Sequence, residues 1–244
     1  MLIKDRFYRR FKTSKQLLAF QVMVKESDLY IYAEKKLEIE AREILYEQRG
    51  YIESFIQQRP DFETSLIPWN NSEPCALIIR EMIKAGNLAG VGPMASIAGA
   101  IAQFVGEGLL KFSKDVIVEN GGDLFIKTGS SSIKVGIFAG KSPLSNKIGL
   151  KINSNNNPIS VCTSSGTVGH SLSMGCADAV TIISESCTLA DATATATGNY
   201  VKKAEDIEPA IDFAKNIQGI KGVLIIKGKH MGAWGDIELI PISL

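Results

Sequence analysis

Two features of the sequence predict an α+β fold with mixed or antiparallel sheets and packed helices. Strand-like and helix-like segments arrive in blocks (strands, helices, strands, helices, strands) rather than in the alternation that builds a doubly wound sheet. The strand-like segments are also short and separated by turns rich in Gly, Ser and Asn, which favours antiparallel pairing. A chain of 244 residues buries a substantial core, and residues 1–244 are expected to form one domain, an order compatible with two intertwined halves.

The elements follow from local patterns. Residues 1–15 alternate Phe7, Tyr8 and Phe11 with Lys4, Arg6, Arg9, Arg10, Lys12 and Lys15, the pattern of an edge strand with a basic outer face. LLAFQVMVKE and LYIYAEK read as two strands joined in a hairpin at Ser27-Asp28. Apolar residues at 37, 39, 44, 45, 52, 55 and 56 predict a helix, with Gly50 its weak point and Pro60 its end. A polar loop is expected over 61–73, a helix over 73–88, a break at Gly92-Pro93 and a small-residue helix over 94–112. DVIVEN, DLFIKTG, IKVGIFAG and KIGLKIN predict strands, SNNNP a loop, and ISVCTSS and ADAVTIIS core strands. CTLADATATATGNYV suggests a close-packed helix with a Gly cap, and residues 208–217 another helix. VLIIKGK and DIELIPI are expected to close the chain as a hairpin across HMGAWG.

Composition excludes several classes. Lys plus Arg number 27 against 26 Asp plus Glu, so nothing favours nucleic acid or an anionic membrane. The apolar run from 91 to 110 is barely long enough to span a bilayer and contains Gln103 and Glu107, which favours a buried helix. The N-terminus lacks the features of a signal peptide, and Cys75, Cys162, Cys176 and Cys187 show no C-x-x-C pairing. Reduced thiols in a cytoplasm are the expectation. No G-x-G-x-x-G follows a strand and no Walker loop is present, which leaves a Rossmann or P-loop site unsupported.

Three segments could carry chemistry. In Asn120-Gly121-Gly122-Asp123, paired glycines allow close backbone approach to a ligand and Asp123 can accept from it; the plain alternative is a β-turn. Thr163, Ser164, Ser165 and Gly166, leading to His170, form a hydroxyl-rich loop with donors suited to a pyrophosphate. His170 can move a proton or cap a helix. Asp191 and Thr195, four apart in Ala190–Ala196, share a helix face, so a carboxylate and a hydroxyl can converge on a hard cation. A tightly packed helix with a partly exposed Asp is the competing reading.

Taken in order, these segments resemble the ApbE-like superfamily, whose familiar members are magnesium-dependent FAD:protein FMN transferases. The resemblance rests on Ser96-Ile97-Ala98-Gly99, Gly121-Gly122-Asp123, Thr163 to Gly166 with His170, and Ala190 to Ala196. It implies an ApbE-like fold, an Mg2+ ion held by Asp191, Thr195 and the backbone carbonyl of Ala98, and FAD or FMN bound near Gly121, Gly122, Asp123 and the hydroxyl loop. His170 would assist proton movement. The segment after Gly166 departs from the transferases: it shrinks to VGHSLSMGC, without their D-P-x-T-G motif, as in a short branch found in anaerobic archaea and bacteria. Three readings follow. The chain is a flavin-nucleotide transferase or pyrophosphatase, a nucleotide- or anion-binding protein without turnover, or a participant in sulfur metabolism through Cys162 or Cys176. Its partner is a flavin nucleotide or other phosphate-bearing small molecule, and a homo-oligomer is allowed.

Overall fold

The computed structural model describes residues 17–70, 73–129, 132–166 and 175–242. The basic segment 1–15 and His170 lie outside them. Eight strands form one large sheet in the order β1-β2-β3-β4-β7-β8-β9-β10: β1 (Leu18–Val24), β2 (Ser27–Ala33), β3 (Val116–Asn120), β4 (Asp123–Lys127), β7 (Ile159–Ser164), β8 (Ala179–Ser184), β9 (Ile220–Lys227) and β10 (His230–Gly235). A second sheet has the order β11-β6-β5, from β5 (Ile133–Gly136), β6 (Ile148–Ile152) and β11 (Leu239–Pro241). Every pairing among the described residues is antiparallel. With its helices, this is the α+β class the block order predicts.

The large sheet divides two apolar layers. Val116, Val118, Phe125, Val180, Ile182, Val223 and Ile225 face the helices. Their neighbours Ile117, Leu124, Ile126, Ile183, Leu224 and Ile226 pack with Val135 and Leu150 of the small sheet. Being covered on both faces, the central strands read as continuous apolar runs, and all six residues of β8 are buried.

The helical layer contains α1 (Glu38–Gln58), the single turn α2 (Asp61–Thr64), α3 (Leu77–Ala89), α4 (Ile97–Leu109), α5 (Cys187–Tyr200) and α6 (Ile207–Lys215). A 3-10 turn, Pro93–Ser96, leads into α4, and α3 and α4 meet at 104° across the break at Gly92-Pro93. Among the described residues no single helix is long and apolar enough to cross a membrane; α4, of 13 residues, extends only about 20 Å.

Several expectations need correction. The first hairpin turns at Lys25-Glu26, since Val24 pairs with Ser27, and Lys25 takes the left-handed φ of 51°. HMGAWG is itself a strand paired with β9: Gly228 (φ 59°) makes the turn after β9, and the last strand crosses to the small sheet to pair with β6. The expected polar loop contains α2, because Phe62 is wholly buried in edge-to-face contact with Phe55 and Trp69. Gly50 does not interrupt α1. It is exposed, and a methyl group there meets nothing within 4 Å. Gly50→Ala is therefore expected to stabilise the fold by about 0.5–1 kcal/mol, read as a rise in thermal midpoint.

Candidate functional site

The site begins at a tight turn. Asn120 and Asp123 stand opposite each other in the β3–β4 register, so Gly121-Gly122 is a two-residue loop. Both glycines have positive φ, 68° and 117°, which a primed hairpin turn requires. Gly122 N–H donates to Glu119 Oε1 at 2.8 Å, fixing the turn. Asn120 and Asp123 share the parity of Val118 and Phe125, so they stand on the sheet face that meets the helices.

Asp123 Oδ1 accepts from the backbone N–H of Thr163 in the next strand, at 3.3 Å. The Thr163 hydroxyl lies on the other face, bonded to that of Thr181 at 2.9 Å. Thr163 thus contributes its backbone, and its hydroxyl is not offered to a ligand on the helix side. Ser164 and Ser165 continue half-buried to Gly166. Gly166 N–H donates to Ala177 O at 3.0 Å, and Cys176 N–H to Val201 O at 2.8 Å. A Cβ on Gly166 would fall 2.2 Å from Gly175 O, and one on Gly175 would fall 1.7 Å from Gly198 O. The hydroxyl loop is therefore seated at the C-terminal end of α5 by glycine backbones in direct contact.

Asp191 enters from the N-terminal half of α5. Ser186 caps that helix, its hydroxyl accepting from Leu189 N–H at 3.2 Å. Asp191 Oδ2 accepts from the N–H of Gly99, in the first turn of α4, at 2.8 Å. The N-terminus of α4 is thus aimed at a carboxylate, the favourable polarity for a helix dipole. Gly99 is required for this approach, since a Cβ would lie 2.7 Å from Asp191 Cβ and 2.4 Å from Cys187 O. Thr195, one turn on, is half-buried on the same helix face.

Electrostatics mark the same cluster. Asp123 and Asp191 are only 7% and 9% exposed. Burial pushes Asp191 up to about 7, against the pull of the Gly99 and Ala98 N–H groups. Burial first, and then the charge of Asp191, push Asp123 well above the usual carboxylate range. Neither acid forms an ion pair with a lysine or arginine among the described residues. Two acids whose charged forms burial disfavours, with a hydroxyl one helical turn away, suit a hard cation.

The donor set fits magnesium, which uses one or two carboxylates and takes its remaining oxygens from water and substrate phosphates. Among the described residues no group of three or more His, Cys, Asp or Glu is placed to hold a metal alone. The Ala98 carbonyl accepts from Asn120 Nδ2 at 3.0 Å and lies in the first turn of α4. Two clefts of about 510 and 460 Å3 open elsewhere, and neither is lined by Asp123, Asp191 or Thr195.

The sequence matches the family model described as AbpE bacteria over residues 9–236. The chain belongs to this family. Curated relatives of this AbpE-family chain include a UPF0280 protein of Methanococcus aeolicus, 43% identical over 202 residues and covering 81% of each chain. Another, from Methanosarcina acetivorans, is 40% identical over 220 residues, 89% of this chain and 86% of the relative. Among solved structures, the flavin transferase ApbE of Vibrio cholerae superposes with a TM-score of 0.58 at 13% identity, covering 90% of this chain and 97% of that one. The flavinyl transferase ApbE of Pseudomonas stutzeri, in its apo form, gives 0.55 at 15% identity, covering 90% and 94%. The AbpE-family chain shares their fold.

The cysteines differ in their surroundings. Cys162 and Cys187 are buried with Sγ atoms 3.5 Å apart, and both are free. Burial pushes the Cys162 thiol well up, with Cys187 adding to the effect. A nucleophilic thiolate is favoured by the opposite environment, an exposed and electropositive one. Cys176 is exposed.

Proposed function

We propose that this chain is a magnesium-dependent enzyme of flavin nucleotides that breaks the pyrophosphate of FAD. The FMN phosphoryl group passes to an acceptor hydroxyl or to water, and AMP leaves. One observation carries the reading: two acids far apart in sequence are both buried beside the start of α4, Asp191 bonded to Gly99 N–H and Asp123 on the turn that Asn120 ties to Ala98, and the charge of Asp191 adds to the upward push on Asp123. A fold shared with flavin transferases supports it.

In this reading Asp191 and Thr195, with Asp123 as a further oxygen donor, hold the cation. Bound there, magnesium would neutralise pyrophosphate charge and make the phosphoanhydride easier to break. Ser164, Ser165 and the Gly166 backbone orient the phosphate oxygens, Gly121 and Gly122 let the ligand approach the turn, and His170 moves the proton. Two buried, adjacent and unbonded thiols fit a reducing cytoplasm.

Incubation with FAD and Mg2+, followed by chromatography for AMP and FMN, tests the proposal. Turnover that chelation abolishes is expected. Stoichiometric FAD binding without AMP would leave a nucleotide-binding protein, and neither binding nor AMP would remove the flavin reading.

A further inference from the structure

Asn120 is tied to a different element from the acid it faces. Its Nδ2 donates to the carbonyl of Ala98 at 3.0 Å, and Ala98 directly precedes the Gly99 N–H that holds Asp191. Across the strand pair, Asn120 stands opposite Asp123, and directly opposed side chains on one face have Cβ atoms about 4.5–5.5 Å apart. The amide therefore bridges the hairpin that carries Asp123 and the helix end that carries Asp191's donor. Two further bonds of the turn run elsewhere: Glu119 Oε1 accepts from Gly122 within the hairpin, and Asp123 accepts from Thr163 in the neighbouring strand. An amide suits the position because the partner is a carbonyl oxygen, which needs a donor, and because a third carboxylate would worsen the repulsion between two acids.

We propose that Asn120 is a positioning residue of the site: its side-chain amide locks the Gly121-Gly122 turn to the N-terminus of α4 and so sets the spacing between Asp123 and Asp191. The inference rests on the functional reading above only for its consequence, cation affinity. Its structural content stands alone.

The test compares the wild-type chain with Asn120→Ala and with the near-isosteric Asn120→Leu, which keeps the approximate shape and loses the donor. Amide hydrogen exchange, followed residue by residue by NMR, reads the lock without any ligand. In both variants the Gly99 amide is expected to exchange about tenfold faster or more, while the Gly106 amide, farther along the same helix, keeps its wild-type rate. Titration with Mn2+ alone, followed by water-proton relaxation, is expected to show affinity weakened about 10- to 100-fold in Asn120→Ala, the range seen when the support of a metal ligand is removed. Unchanged Gly99 exchange in both variants, or equal acceleration along the whole of α4, would overturn the assignment, the second outcome marking ordinary loss of stability. Folded variants with faster Gly99 exchange but wild-type Mn2+ affinity would also overturn it. A wild-type protein that binds no Mn2+ counts against the functional reading, and the exchange data then decide on Asn120 independently.

Discussion

Asp191→Asn should make the protein more stable at pH 8 and at the same time inactive. In the unfolded chain this carboxyl loses its proton near 3.8, whereas the folded protein holds it until about 7. Between those values the folded state binds the extra proton, so the contribution of this group to stability falls as pH rises, and it is lowest above about 7. The displacement corresponds to roughly 4 kcal/mol of unfavourable charging when complete. Asparagine keeps an oxygen to accept from Gly99 N–H, without the charge. The apo variant should therefore gain on the order of 2–4 kcal/mol at pH 8, a rise of at least about 4 °C in a chain of this size, and much less at pH 5. FAD cleavage in magnesium should drop by about 100-fold or more, as expected when an electrostatic element of a reaction centre is removed. Thermal melts at the two pH values and AMP release measure both effects. A variant that is destabilised at pH 8, or that retains turnover, contradicts the role given to this acid.

Gly175→Ala should be severe for a different reason. A Cβ at this position would fall 1.7 Å from Gly198 O, 2.6 Å from Gly198 C and 3.2 Å from Asn199 Cα. All three are backbone atoms at the end of α5, so no flexible side chain can move aside. Relief requires moving the helix end or the Gly166 strand exit, which donates to Ala177 O beside it. A loss of more than about 3 kcal/mol is expected, near the upper end for overpacking, with low soluble yield or a thermal midpoint at least about 6 °C below wild type. A midpoint within 2 °C, an interval of roughly 1 kcal/mol, would show that these backbones separate easily. The site would then be less rigid than described.

Much of this architecture was legible because its signals are local. Continuous apolar runs such as those in β3, β8 and β9 announce strands covered on both faces, and the block order announces antiparallel pairing. The misplaced features are those decided by tertiary contacts. HMGAWG has the small residues of a turn, yet it pairs along β9 because the chain has already reversed at Gly228. Residues 61–64 look polar, yet the burial of Phe62 coils them into a helical turn. The pairing of Lys25-Glu26 as the first turn was hidden because neither is a typical turn residue.

The site was legible one piece at a time. Helical spacing places Asp191 and Thr195 on one face, and paired glycines mark the turn before Asp123. Nothing in the spacing says that Asp123 and Asp191 influence each other, since that depends on how α5 packs over β4 and β7. The donor role of Asn120 was likewise invisible, although its position directly before Gly121-Gly122 placed it beside the site. The Thr163 hydroxyl shows the limit of motif reading: strand parity turns it to the far face, toward Thr181, and leaves only its N–H for Asp123.

In the proposed function Asp191, Thr195 and Asp123 together accept a divalent cation with a flavin nucleotide. Crystals grown with Mn2+ and FAD, with anomalous scattering recorded from manganese, test it most directly. An anomalous peak is expected in coordination contact with Asp191, Thr195 and Asp123 and with pyrophosphate oxygens. Manganese bound only elsewhere, with Asp191 still resting on Gly99 and no nucleotide beside it, would contradict it.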